Sequence, residues 1–202
     1  MKKKKPTDQS PIEVLIVAVP ETAGSALYGM LDVLMAAGNI WQTLVRSDSV
    51  QHLFNVRSVS TQKRGFTCGN NIPVSPDVSV KDNPDAGIII LPELWLGPDE
   101  TINGRYPSLM DWIRQQYKQG STLYSACSGA IMLAESGLLD GGPATSHWGY
   151  KDLVRQPYPK VSFQPEPNLV FASPGGRIVT AGGTTSWQVL ALLFLSRHAR
   201  PG

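Results

Sequence analysis

TLYSACSGAIMLA, at residues 122–134, carries the clearest signal of the fold in this chain. It passes from a strand-like apolar run into a helix-like stripe, with Cys127 at the junction. Ser125 lies two residues before this cysteine and Gly129 two residues after it, and a sharp strand-to-helix turn requires small side chains at those two positions. The pattern therefore predicts a nucleophile-elbow turn in which cysteine takes the place of serine.

Cys127 can be interpreted in two ways at this stage. A thiol at a helix N-terminus lies in the positive end of the helix dipole, which predicts a lowered pKa and an enriched thiolate. Alternatively, Cys127 is an ordinary small buried side chain without chemistry. Both interpretations remain open from the sequence.

Outward from this turn, strand-like and helix-like segments alternate. Strands are predicted at residues 13–19, 54–61, 87–91 and 121–126, with shorter ones at 142–146, 161–163, 169–172 and 178–180, and a loop or hairpin at 65–76. Helices are predicted at 25–38, 107–119, 128–136 and 184–198, and the first has an apolar stripe of Leu27, Met30, Leu31, Leu34 and Met35. This alternation predicts an α/β fold with a doubly wound, mostly parallel sheet and helices on both faces.

Composition limits the classes of function. The 202 residues have 18 Lys and Arg against 16 Asp and Glu, a net charge of +2 that is too balanced to predict DNA binding by this segment itself. We expect a disordered basic tail at 1–11 and one domain at 12–199. No apolar run approaches the ~20 residues of a membrane helix. Cys68 and Cys127 fit neither a disulfide framework nor a metal site, so we expect free thiols in a reducing cytoplasm, without metal or cofactor.

Ligands of open parallel sheets bind beyond the carboxyl ends of the strands. Three predicted strand ends carry polar side chains: Glu21, Glu93 and the pair Cys127 and Ser128. These four residues are therefore candidate ligand-binding residues.

Several motifs resemble the DJ-1/PfpI superfamily, also called class I glutamine-amidotransferase-like. They are SACSGA at 125–130, LAESGLLDG at 133–141, ATSHW at 144–148, and the more weakly matching YGMLDVL at 28–34. TAGGTTSWQVLAL at 180–192 is similar to the closing strand and helix of GlxA-type AraC-family transcriptional regulators, in their N-terminal domain. The resemblance implies a flavodoxin-like fold and a homodimer.

Three further residues are candidates for ligand binding. Trp95 and Trp148 follow predicted strand ends and are candidates to wall one small apolar pocket, and His147 is a candidate cleft histidine that pairs with Cys127. The alternative for all three is ordinary packing.

The sequence departs from the catalytic members of that superfamily. Their acidic residue on the first helix corresponds to Ala26 here, and Glu21 lies too far back on the preceding turn to replace it. The usual Pro-Gly-Gly after the third strand is Pro92-Glu93-Leu94, and Ser128 stands where a protease of this type has histidine. These departures predict that Cys127 is a vestigial nucleophile without the acid and base that catalysis needs.

Two functions of different classes follow from this resemblance. The first is a non-catalytic, ligand-sensing domain that binds a small effector, with DNA bound through a C-terminal helix-turn-helix domain expected beyond residue 202. The second is a free-standing cysteine-dependent enzyme, a hydrolase or an isonitrile hydratase. A thiol redox sensor, with Cys127 oxidised far faster than Cys68, is a weaker third interpretation.

Overall fold

The computed structural model describes residues 10–45, 52–97 and 99–198, and the side chains of residues 41 and 42 are not described. The strands are β1 (Ile12–Val17), β2 (Phe54–Ser60), β3 (Phe66–Cys68), β4 (Ile72–Val74), β5 (Val78–Ser79), β6 (Ile88–Leu91), β7 (Thr122–Ala126), β8 (Pro143–Ala144), β9 (Ser162–Phe163), β10 (Leu169–Phe171) and β11 (Ile178–Ala181). The helices are α1 (Gly24–Ala36), α2 (Ile40–Leu44), α3 (Pro107–Gln119), α4 (Ala130–Glu135), α5 (Lys151–Arg155) and α6 (Ser186–His198). Most of the predicted basic tail, residues 1–9, lies outside the described residues.

Seven strands form the central sheet in the order β10-β11-β7-β6-β1-β2-β5. Every neighbouring pair is parallel except β10 and β11, which are antiparallel. Two small sheets, β3 with β4 and β8 with β9, lie outside it. The mostly parallel sheet confirms the predicted fold class, and the antiparallel β3–β4 pair is the short hairpin predicted at 65–76.

The order of the strands reverses between β1 and β6, and this position determines where a site can form. Successive strands run from β1 through β2 to one edge, whereas β6, β7 and β11 extend towards the other. Open parallel sheets bind ligands outside the carboxyl ends of the strands at such a switch point. The segments after β1, β6 and β7, which carry Glu21, Glu93 and Cys127, therefore emerge side by side.

Alternating side chains of the strands supply two apolar cores, one on each face of the sheet. Leu15 and Val17 of β1 face the core that α3 and α4 cover, whereas Val14 and Ile16 face the core that α1 and α6 cover. Leu34 is the last fully buried residue of α1. Met35, the final member of the predicted apolar stripe, is 56% exposed, because it lies about 100° around the helix from Leu34 and turns away from the sheet.

Candidate functional site

The elbow predicted around Cys127 forms as expected. Cys127 has φ +51°, in the left-handed region that side chains with a Cβ rarely adopt, and it opens a single 3₁₀ turn that leads into α4. A Cβ atom at Gly129 would lie 2.2 Å from the Leu91 carbonyl oxygen at the end of β6. Only glycine fits there, because the chain passes so close to the neighbouring strand end.

Glu93 lies beside the cysteine, and this corrects the expectation that Cys127 has no acidic partner. The Cys127 Sγ donates a hydrogen bond to Glu93 Oε1 at 3.5 Å. The carboxyl comes from the segment after β6 and not from α1, where Ala26 is fully buried. Glu93 is kept in place through its backbone, since the amide of Ala23 donates to its carbonyl oxygen at 2.8 Å.

The environment of Cys127 also overturns the expectation of a lowered pKa. The side chain is buried, with 1% of the residue exposed, and burial together with the Glu93 carboxylate raises the pKa of the thiol to about 12. Burial likewise raises the pKa of Glu93, against the opposing effects of the thiol hydrogen bond and the nearby His147. Loss of water disfavours the thiolate more than the first turn of a six-residue helix favours it. Cys127 is therefore a protonated thiol at neutral pH.

The Ser128 hydroxyl forms structural hydrogen bonds, so it is not available to a ligand. Its Oγ accepts a hydrogen bond from the Leu94 amide at 2.8 Å and donates one to the Leu94 carbonyl oxygen at 2.7 Å. The side chain is fully buried. Its function in the structure is to tie the elbow to the segment after β6.

Glu21 and Trp95 do not join Cys127. The Glu21 carboxylate forms an ion pair with Arg105 and accepts a hydrogen bond from the Tyr106 hydroxyl at 2.6 Å. Trp95 donates its backbone amide to the Glu21 carbonyl oxygen at 2.6 Å, and its half-exposed indole lies against Gly69. Both residues thus connect the segments at 93–97 and 99–106 to the end of β1.

His147 and Trp148 line a cavity next to the elbow that is open to solvent. The Ser146 hydroxyl, also in the cavity wall, donates to the Cys127 carbonyl oxygen at 3.0 Å and so joins the wall to the elbow. His147 Nδ1 accepts a hydrogen bond from the Gly149 amide at 3.1 Å, which leaves Nε2 as the protonated nitrogen of the neutral ring. The full lining is Ser146, His147, Trp148, Lys151, Val154, Arg155, Phe163, Gln164 and Pro165.

The cavity contains residues that sequence reasoning missed, and it lacks one that was expected. Lys151 and Arg155 are one helical turn apart on α5, and this i, i+4 spacing of two cations directly after the ATSHW block was a signal that could have found them. Cys127 is not among the lining residues, because its sulfur is buried behind the wall. The pairing of Trp95 with Trp148 around one pocket is not observed either.

Residues 10–45, 52–97 and 99–198 contain neither a metal-binding cluster nor a membrane-spanning helix. No three His, Cys, Asp or Glu side chains of these segments are arranged to hold a metal ion. None of the helices in the same segments has the length and apolar character that crossing a bilayer demands.

The chain is similar in sequence to a transcriptional regulator and to an enzyme. The chain is 37% identical over 99 residues to the HTH-type transcriptional regulator CdhR of Pseudomonas aeruginosa, covering 49% of this chain and 29% of that protein. It is 27% identical over 185 residues to the isonitrile hydratase of Pseudomonas putida, covering 90% of this chain and 69% of the enzyme. The matched segment therefore spans less than a third of the length of this regulator.

Solved structures share the fold over nearly the whole chain. A structure described as a putative transcriptional regulator from Vibrio parahaemolyticus superposes with a TM-score of 0.75 at 19% identity, covering 94% of this chain and 93% of that one. The pattern of the DJ-1/PfpI family matches residues 33–196, a segment that includes the elbow, Glu93 and the cavity. This chain belongs to the DJ-1/PfpI family.

Proposed function

We propose that this chain is the effector-sensing, non-catalytic domain of an AraC-type transcriptional regulator. The observation that carries the proposal is an open cavity beside a cysteine whose side chain is buried behind the cavity wall. Burial also raises the pKa of this thiol. A nucleophile must be accessible and ionised to react, whereas a cavity with polar and apolar walls needs neither property to bind a molecule. The effector site therefore centres on His147 and Trp148, with Cys127 and Glu93 behind its wall.

Similarity to regulators supports this assignment. CdhR is an HTH-type transcriptional regulator, and the segment of it that matches this chain is less than a third of its length. In the proposed arrangement, this chain binds the effector in the cytoplasm, and a helix-turn-helix segment outside it contacts DNA. A net charge of +2 agrees with a sensing domain that does not itself bind the phosphate backbone.

A turnover assay tests the proposal. Wild-type protein and Cys127→Ala are assayed against isonitriles, amides and 2-oxoaldehydes, and neither is expected to convert any of them, because the thiol is protonated and buried. Turnover by the wild type that is lost in Cys127→Ala would overturn the sensing function. The result does not depend on knowing the effector.

A cysteine-dependent enzyme is the second candidate. Two observations favour it: the carboxyl of Glu93 lies 3.5 Å from Cys127 Sγ, and the similarity to isonitrile hydratase extends over 90% of this chain. The carboxyl would act as the acid that the first helix lacks. The same assay, extended to Glu93→Gln, decides between the candidates, since the enzyme requires turnover that depends on both Cys127 and Glu93.

We also propose that the chain forms a homodimer through α1 and α6. These helices lie side by side on one face of the sheet, with Trp187 packed against Gly29, and their outer surfaces expose Met35 at 56%, Val189 at 41% and Leu192 at 69%. An exposed apolar patch of this kind is typical of a protein interface. The α1 part of this patch is exposed because Leu34 is the last buried residue of the helix, which leaves Met35 on its outer surface.

Leu192→Glu is expected to weaken the dimer by tenfold or more, because it places a charge within an apolar contact. Gln119→Glu adds the same charge on α3, on the opposite face of the sheet, and is expected to leave the dimer unchanged. Sedimentation equilibrium measures both. A monomeric wild-type protein at concentrations of about 100 μM would contradict the homodimer.

A further inference from the structure

The charges of the cavity beside the elbow are of one sign. Lys151 and Arg155 both line it, and neither forms an ion pair with any residue in the described part of the chain. The neighbouring carboxylates, Asp152 on α5 and Glu166 after Pro165, are not among the lining residues. Two like charges at i, i+4 destabilise a helix unless an anion lies between them.

Apolar side chains also line the cavity. They are Trp148, Phe163, Pro165 and Val154, of which Val154 is buried. Trp148 stacks on His147 with ring centroids 5.2 Å apart but is itself 73% exposed, so one face of a large indole lies open at the cavity. An apolar group placed there would cover surface that otherwise contacts water.

The cavity is open to solvent, so the chemistry of its walls rather than an enclosed volume selects the ligand. Walls that combine two cations with apolar side chains favour a small molecule with one anionic end and one apolar end.

We propose, on the basis of the proposed sensing function, that the effector is a small carboxylate with an apolar body. Its carboxylate lies between Lys151 and Arg155, and its carbon chain lies against Phe163 and the indole of Trp148. Arg155 offers a planar pair of N–H donors that matches two carboxylate oxygens, and Lys151 adds a second positive charge. This assigns ligand recognition to two residues of α5 that lie outside the family's cysteine motif.

The test compares three probes of nearly the same shape: 3-methylbutanoate, 3-methylbutanamide and 3-methylbutylammonium, with inorganic phosphate as a fourth. Binding to the full 202-residue chain is followed through the indole and backbone N–H signals in ¹⁵N NMR titrations. The carboxylate is expected to shift the Trp148 and Lys151 signals. We expect the amide to bind at least tenfold more weakly and the ammonium ion not to bind, while phosphate without an apolar body binds more weakly than the carboxylate.

Variants separate charge from shape. Lys151→Gln and Arg155→Gln are each expected to weaken carboxylate binding about fivefold, and Arg155→Lys is expected to weaken it less. Lys118→Gln removes an exposed cation on α3 and is expected to leave binding unchanged. Rising salt is expected to weaken binding, since the cations are exposed. Equal binding of acid and amide, stronger binding of the ammonium ion, or no binding of the acid would each overturn the carboxylate proposal. Failure of the proposed sensing function would be detected separately, in the turnover assay, as turnover that depends on Cys127.

Discussion

Gly129→Ala is expected to unfold the protein or to lower its free energy of unfolding by about 3 kcal/mol or more. The new Cβ would lie 2.2 Å from the Leu91 carbonyl oxygen and 2.7 Å from that of Pro92, and both are backbone atoms that cannot rotate away. Either the elbow or the end of β6 must move, and both belong to a buried region. A loss of this size is a large part of the 5–15 kcal/mol that stabilises a typical domain.

Urea unfolding measured by circular dichroism checks this prediction. Gly97→Ala is the matched control, because the nearest atom to its added Cβ is 3.6 Å away, an ordinary contact. The control is expected to unfold within about 0.5 kcal/mol of the wild type. A Gly129→Ala protein with the wild-type midpoint would show that the elbow is not as close to β6 as the structure has it.

Cys127 in the folded protein is expected to react with iodoacetamide on the order of 10³-fold more slowly at pH 7 than an unperturbed cysteine. A free thiol with a pKa near 8.5 is a few per cent ionised at that pH, whereas a pKa of about 12 leaves roughly one thiolate in 10⁵. The rate is expected to rise about tenfold for each pH unit above 7, since burial has moved the pKa upwards and only the thiolate reacts. Mass spectrometry of labelled peptides gives the rate at Cys127 separately from that at Cys68.

Glu93→Gln is expected to speed this labelling about tenfold, because it removes the negative charge that raises the pKa of the thiol while keeping a side chain of the same shape. Glu166→Gln, at an exposed position, serves as the control, and Cys68 should react equally in both variants. Labelling of wild-type Cys127 at the rate of an unfolded cysteine would indicate an accessible thiolate. That outcome would favour the enzyme or the thiol redox sensor over the effector-sensing domain.

The same Glu93 explains why the site was harder to predict than the fold. Its position after a buried strand made it a candidate, but its place beside Cys127 depends on two segments 34 residues apart in sequence. The expected acid was sought on α1, where Ala26 lies, because the resemblance to catalytic proteins placed it there. The cavity residues Lys151 and Arg155 were missed for a related reason: they line a site only where α5 folds beside Phe163.

Local sequence predicted the alternation of strands and helices, the elbow at Cys127 and the strand ends at Glu21 and Glu93. Each of these depends on local sterics and apolar periodicity, which neighbouring residues define. Three features could not be predicted locally: Glu93 contacts the Cys127 thiol, burial raises the pKa of that thiol although the helix dipole predicted a fall, and Lys151 and Arg155 line one cavity. Desolvation and contact across the sheet depend on which distant segments pack together, so they appear only once the chain has folded.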